Sequence, residues 1–129
     1  MRPRLTYANV TATAALILLC LTVTASALAW RRPIESERKA ITRAAESAPH
    51  AAGTGRVHVG QIRVSTVGPW ASADGTIYVP EPDNATIILH KIHGLWKYES
   101  VGTAGEQCVM PWADQQNLGF GNEAGACTG

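Results

Sequence analysis

Three thiols, four imidazoles and scattered hydroxyls and carboxylates are what this 129-residue chain offers to chemistry. Cys108 and Cys127 are too far apart for the paired spacing of zinc ligands. In an oxidising compartment such a pair forms a disulfide, and closing a loop of this size constrains the unfolded chain by about 3 kcal/mol in the entropic model. Cys20 stands apart, inside an apolar run and after Leu19, where a lipidation site would carry a small residue. His90 and His93 are three apart, a spacing that shares a face on a helix but points to opposite sides of a strand. A metal role there needs a turn to swing His93 back, and no carboxylate adjoins the pair in sequence. His93 suits a turn that takes positive φ, and His50 and His58 have ordinary settings.

No nucleophile shows its supporting cast. Ser65 and Ser72 fall in strand-like runs outside any Gly-x-Ser-x-Gly elbow. Asp74 and Asp83 read as turn residues and Glu99 as an exposed strand residue. Asn84-Ala85-Thr86 matches a glycosylation acceptor, with Asn84 again at a turn. Trp70, Trp96 and Trp112 could stack on sugars, but in so small a domain tryptophans supply the core. The expectation is no catalytic residue, no metal ligand and no cofactor, with Cys108 and Cys127 as the bonded pair.

The elements that must position these residues begin with residues 1–29. Arg2 and Arg4 precede a charge-free run from Leu5 to Trp30, greasiest between Ala14 and Val23, with Ala25-Ser26-Ala27 and Ala27-Leu28-Ala29 offering cleavage sites. That is the plan of an export signal. Val10 to Ala29 would also span a bilayer as a retained anchor, with Trp30 at the interface and Arg31-Arg32 capping the span. Either outcome places the rest outside the cytoplasm, secreted or anchored to the cell membrane. Without residues 1–29, Lys and Arg fall from 11 to 9 against 10 acidic residues, because only Arg2 and Arg4 leave. A nearly neutral domain lacks the basic stripe that dominates nucleic-acid affinity, so nucleic acid is not an expected partner.

Residues 30–55 read as helix and linker. Pro33 opens a helical stretch to about Ser47, with Glu35 and Glu37 early and Arg38, Lys39 and Arg43 later, as the helix dipole favours. Ile34, Ile41, Ala44, Ala45 and Ala48 form its thin apolar stripe. Residues 56–129 read as an antiparallel sheet with a C-terminal loop. Val57 and Val59 alternate, and Ile62 and Val64 resume out of phase, which predicts a bulge at Gly60. Asp74-Gly75 between Trp70-Ala71-Ser72-Ala73 and Thr76-Ile77-Tyr78-Val79 predicts a hairpin with Ser72 opposite Ile77. A second hairpin turns at His93-Gly94, setting Leu89 opposite Tyr98 and Lys91 opposite Trp96. Ile87, Leu89, Trp96 and Tyr98 then share a core face, leaving Ile88, His90 and Ile92 partly exposed. Pro111 to Leu118 forms one or two helical turns stopped by Gly119, and the disulfide pins the Gly-rich tail. The fold class is α+β: a signal or transmembrane helix, one helix packed on a small antiparallel meander, and a disulfide-pinned end.

The leader, Arg32-Pro33, Ile62-Arg63-Val64-Ser65 with Pro69-Trp70-Ala71, and Gly94-Leu95-Trp96-Lys97 with Gly102-Thr103 and Cys108 resemble small exported or membrane-anchored proteins of high-GC Gram-positive bacteria such as streptomycetes. The order of elements is similar to cystatin-like and nuclear-transport-factor-like half-barrels. That resemblance implies a helix resting on a curved sheet and carries no activity. The expected function is a non-catalytic extracytoplasmic module that binds an envelope or extracellular protein or ligand, with the membrane as a further partner if the leader is retained. The alternatives are a small secreted hydrolase or metal-dependent enzyme using His90 or His93, and an exported protease inhibitor with its loop between Cys108 and Cys127.

Overall fold

The computed structural model describes residues 29–48, 55–79, 81–121 and 127. The expected signal or anchor, residues 1–28 of it, and His50 lie outside the described residues. Among the described residues, no helix is long and apolar enough to cross a membrane.

Helix α1 (Glu35–Glu46) is followed by strands β1 (Arg56–Val64), β2 (Trp70–Val79), β3 (Glu81–Ile92) and β4 (Leu95–Gly102). A 3-10 turn (Glu106–Val109) and helix α2 (Trp112–Leu118) complete the order. The strands form an antiparallel meander in sequence order. The α+β class therefore holds, and α2 forms where one or two helical turns are expected.

Helix α1 starts two residues after Pro33, with Glu35 and Glu37 in its first turn and Arg43 in its last. Its buried residues, Ile41 and Ala45, join Ala48, Ile62, Val64, Ala71, Ala73, Ile87 and Leu89 in the main core. Alanines on both helix and sheet let the two backbones approach closely. Ile34, counted in the apolar stripe, is 67% exposed because it precedes the first helical turn. The chain before α1 is tied down twice. Arg31 exchanges two backbone hydrogen bonds with Val64, each 2.9 Å, and its guanidinium donates to both carboxylate oxygens of Glu37 at 2.6 and 2.9 Å. The hydrogen bond from Arg31 holds the Glu37 carboxyl below its ordinary pKa, against a desolvation effect that pushes it up.

The bulge forms where the alternation slipped: Val59 pairs with Gly75 and Ile62 with Ala73, leaving one extra residue in β1. The His93-Gly94 turn also forms, with both residues at positive φ, and it sets Leu89 against Tyr98 and Lys91 against Trp96. The Asp74-Gly75 turn does not form. β2 runs straight through, Asp74 pairing with Thr86 and Gly75 with both Val59 and Ala85. Ser72 consequently faces Ile88 and Arg63 rather than Ile77. A Cβ on Gly75 would lie 2.9 Å from Ile87 Cδ1. This glycine thus serves close packing, and pairing on both flanks of β2 overrides the local turn preference. β3 starts at Glu81, so Asp83 and Asn84, read as turn residues from sequence, pair with Ile77 and Thr76 inside the sheet. β4 ends at Gly102 opposite Thr86, so Pro82 sits where β3 has one neighbour and a missing N–H is tolerated.

The second face of the sheet carries its own core: Trp70, Ile88, Met110 and Leu118, flanked by Trp30 and Phe120. Ile88, expected to be partly exposed, is fully buried there because α2 folds back over it. Gly119 ends α2 at φ 93°, as the sequence predicts.

Candidate functional site

Register sorts the second face into cross-strand rows. The first is Arg56, Tyr78 and Pro82; the second is His58, Thr76 and Asn84. The third runs from the bulge at Gly60 through Asp74 and Thr86 to Gly102. The fourth contains Arg63, Ser72, Ile88 and Ser100, and the last Trp70, His90 and Lys97. Chemistry changes between the third and fourth rows. Trp70 and Ile88 of the last two lie beneath Met110 and α2, whereas the second and third rows line an open cleft, closed only at Gly102, over which Glu106 stands.

A polar knot fastens the covered half. Ser65, one residue past β1 rather than in a strand, donates from Oγ to Asp114 Oδ1 at 2.7 Å and accepts from the Val67 and Gly68 amides at 3.2 and 3.3 Å. Asn117 accepts from the Thr66 amide and donates to Thr66 Oγ1, both at 2.9 Å. A Cβ on Gly68 would overlap the Asp114 carboxylate, so glycine lets the loop press against α2. The Ser65 hydroxyl, 6% exposed and engaged on both sides, acts as a strut between the β1–β2 loop and α2. The expected Cys108–Cys127 disulfide is present, with Cα atoms 5.3 Å apart. Part of the segment it brackets is α2, packed on the sheet.

His90 stacks on Trp70, ring centroids 4.0 Å apart and planes 3° from parallel. Its Nδ1 lies 3.6 Å from Glu99 Oε1, a carboxylate that the hairpin brings from β4 although none is near in sequence. His93 sits exposed at the turn. Among the described residues, no group of three or more histidine, cysteine or acidic side chains is placed to hold a metal ion. The tryptophans divide. Trp70 is buried and Trp96 packs against the main core, but Trp112 is 51% exposed. Trp30, assigned above to a membrane interface, packs in the second core with the Arg63 guanidinium 5.6 Å from its ring centroid.

The second and third rows border an open cleft of about 490 Å³ lined by His58, Asp74, Thr76, Asn84, Thr86 and Thr103 together with Gly60, Gly75 and Ala85. A second hollow of about 460 Å³, between Arg56, His58 and Tyr78, continues it through the shared His58. Asp74 and Asn84, assigned to turns from sequence, are strand residues of this surface. A buried acceptor lies at the β4 side, outside the cleft lining. Glu106 is only 8% exposed, its carboxylate stands over Gly102, and its Oε2 has no hydrogen-bond partner among the described residues. Sequence reading missed the site because a turn at Asp74-Gly75 splits the polar row Asp74, Thr76, Tyr78. The available signal was period two itself: Arg56 and His58, then Asp74, Thr76 and Tyr78, then Asn84 and Thr86. No family model, curated protein or solved structure matches this chain.

Proposed function

We propose that this protein is an extracytoplasmic, non-catalytic binding module, and that it engages an envelope or extracellular ligand through the three open rows of its sheet. One observation carries the reading: the sheet face changes from a sealed apolar half to a hollow polar half without a break in β2 or β3. A core needs polar groups kept out, and a recognition surface needs them arrayed on a rigid support. Support for the compartment is the Cys108–Cys127 disulfide, a bond of oxidising surroundings. The signal-like pattern of residues 1–29 and the resemblance to exported proteins of high-GC Gram-positive bacteria point the same way.

The test has two readings. Cells expressing the full chain are treated with a membrane-impermeant protease and a thiol label, and the isotope-labelled protein is titrated with a soluble envelope digest. The expected result is cleavage from outside, no free thiol at Cys108 or Cys127, and amide shifts clustered at His58, Thr76 and Thr86. Recovery from the cytoplasm with both thiols free, or shifts confined to the α1 face, overturns the reading.

A further inference from the structure

We infer that the ligand of the open rows is a neutral oligosaccharide, a deepening that rests on the binding reading above. The lining presents three hydroxyls, an amide, an imidazole and one carboxylate, from Thr76, Thr86, Thr103, Asn84, His58 and Asp74. Such a set both donates and accepts. A sugar ring, which carries adjacent hydroxyls that do the same, is its chemical complement. Rows repeat every two residues, so Tyr78 to Asp74 spans about 13 Å along β2, a length for a chain of sugars rather than one ring.

Tyr78 supplies what hydrogen bonds do not. It is 48% exposed in the first row between Arg56 and Pro82 and lines the second hollow. The apolar C–H face of a sugar packs on such a ring while its hydroxyls reach the polar rows. A phosphate polymer fits poorly: Arg56 stands against Asp74, so the surface has no net positive field. An extended peptide fits poorly too, since strand addition uses a sheet edge and these rows lie on a face.

The experiment titrates the full-length, isotope-labelled chain, in a detergent without a sugar headgroup, with the hexamers of the chito-, cello- and malto- series. Expected is saturable shift of the His58, Thr76, Tyr78, Asn84 and Thr86 amides with one series. Tyr78→Ala and Asp74→Asn should each weaken binding about tenfold, the loss typical of one aromatic or charge-assisted contact. Trp112→Ala, at an exposed aromatic outside the rows, should leave affinity unchanged. Shifts that follow Trp112 overturn the assignment. If all three sugar series are silent at millimolar concentration while the envelope digest still moves the row amides, the ligand class is wrong and the binding reading stands. Silence from sugars and digest alike removes both.

Discussion

β2 and β3 build two different surfaces on the same side of one sheet. Toward one end their side chains are Trp70, Ser72, Ile88 and His90, sealed by Met110, Leu118 and the disulfide-pinned chain end. Toward the other they are Asp74, Thr76, Asn84 and Thr86, and they form a hollow. The backbone pairing is continuous across the boundary, so strand geometry does not separate the halves. What separates them is what folds back on top. The covered half uses side chains to exclude water, whereas the open half uses the same scaffold to hold polar groups at fixed spacing.

The largest break in that comparison comes from paired truncations two residues apart. Ile88→Ala should cost about 2–5 kcal/mol, because a fully buried side chain leaves a cavity under Trp70 and Met110. Thr86→Ala, in the next row, should change stability by no more than about 0.5 kcal/mol. Urea denaturation of both variants measures the contrast, and equal losses would mean that the open half is core after all.

Replacing Cys108 and Cys127 together with serine should cost about 3 kcal/mol for a bridge spanning 19 positions. Hydrogen exchange should then rise in α2 and at Ile88 before it rises at Thr76 and Asn84. Uniform exposure across both halves would show that the bridge supports the whole sheet instead of the cover.

Gly68→Ala tests the strut. The added methyl group meets the Asp114 carboxylate, so the β1–β2 loop must retreat from α2 at a cost of about 1–3 kcal/mol. Pairing it with Asp114→Ala should recover part of the loss, since the carboxylate is what the methyl group strikes. A double variant no better than Gly68→Ala alone would place the strain elsewhere.

The smallest effect concerns the opposite face. Glu37 is held below its ordinary value of 4.5 by Arg31, so its contribution is fully present above that pH and is lost as pH falls through the lowered value. Arg31 is half exposed, which limits the pair to about 1 kcal/mol or less. Glu37→Gln should therefore be slightly less stable at pH 7, and the difference from the parent chain should vanish in acid. A gap that persists in acid would assign Glu37 a role independent of its charge.

Local signals read correctly where one stretch of chain settles its own conformation. His93-Gly94 takes positive φ, Gly119 stops α2, and the slipped alternation around Gly60 becomes a bulge. Ile87, Leu89, Trp96 and Tyr98 share a face as their alternation requires. Asp74-Gly75 reads wrongly although its turn signal is as strong as any of these. β2 has a neighbour on each side and Ile87 fills the notch at Gly75, so the gain from pairing and packing outweighs one local turn. The candidate site inherited that error, since its middle row exists only if the strand runs through.

The residue pattern by itself determined the antiparallel meander, the α1 stripe through Ile41 and Ala45, and the cysteine pair, because period and composition act over a few neighbouring residues. Only the tertiary structure decided that Ile88 is sealed while Thr86 lines an open cleft, that Ser65 meets Asp114 across 49 positions, and that Glu106 stands over Gly102. These outcomes depend on where the chain end returns to the sheet. That return is set by the sum of contacts among Trp70, Ile88, Met110 and Leu118, and no single stretch of sequence contains all four.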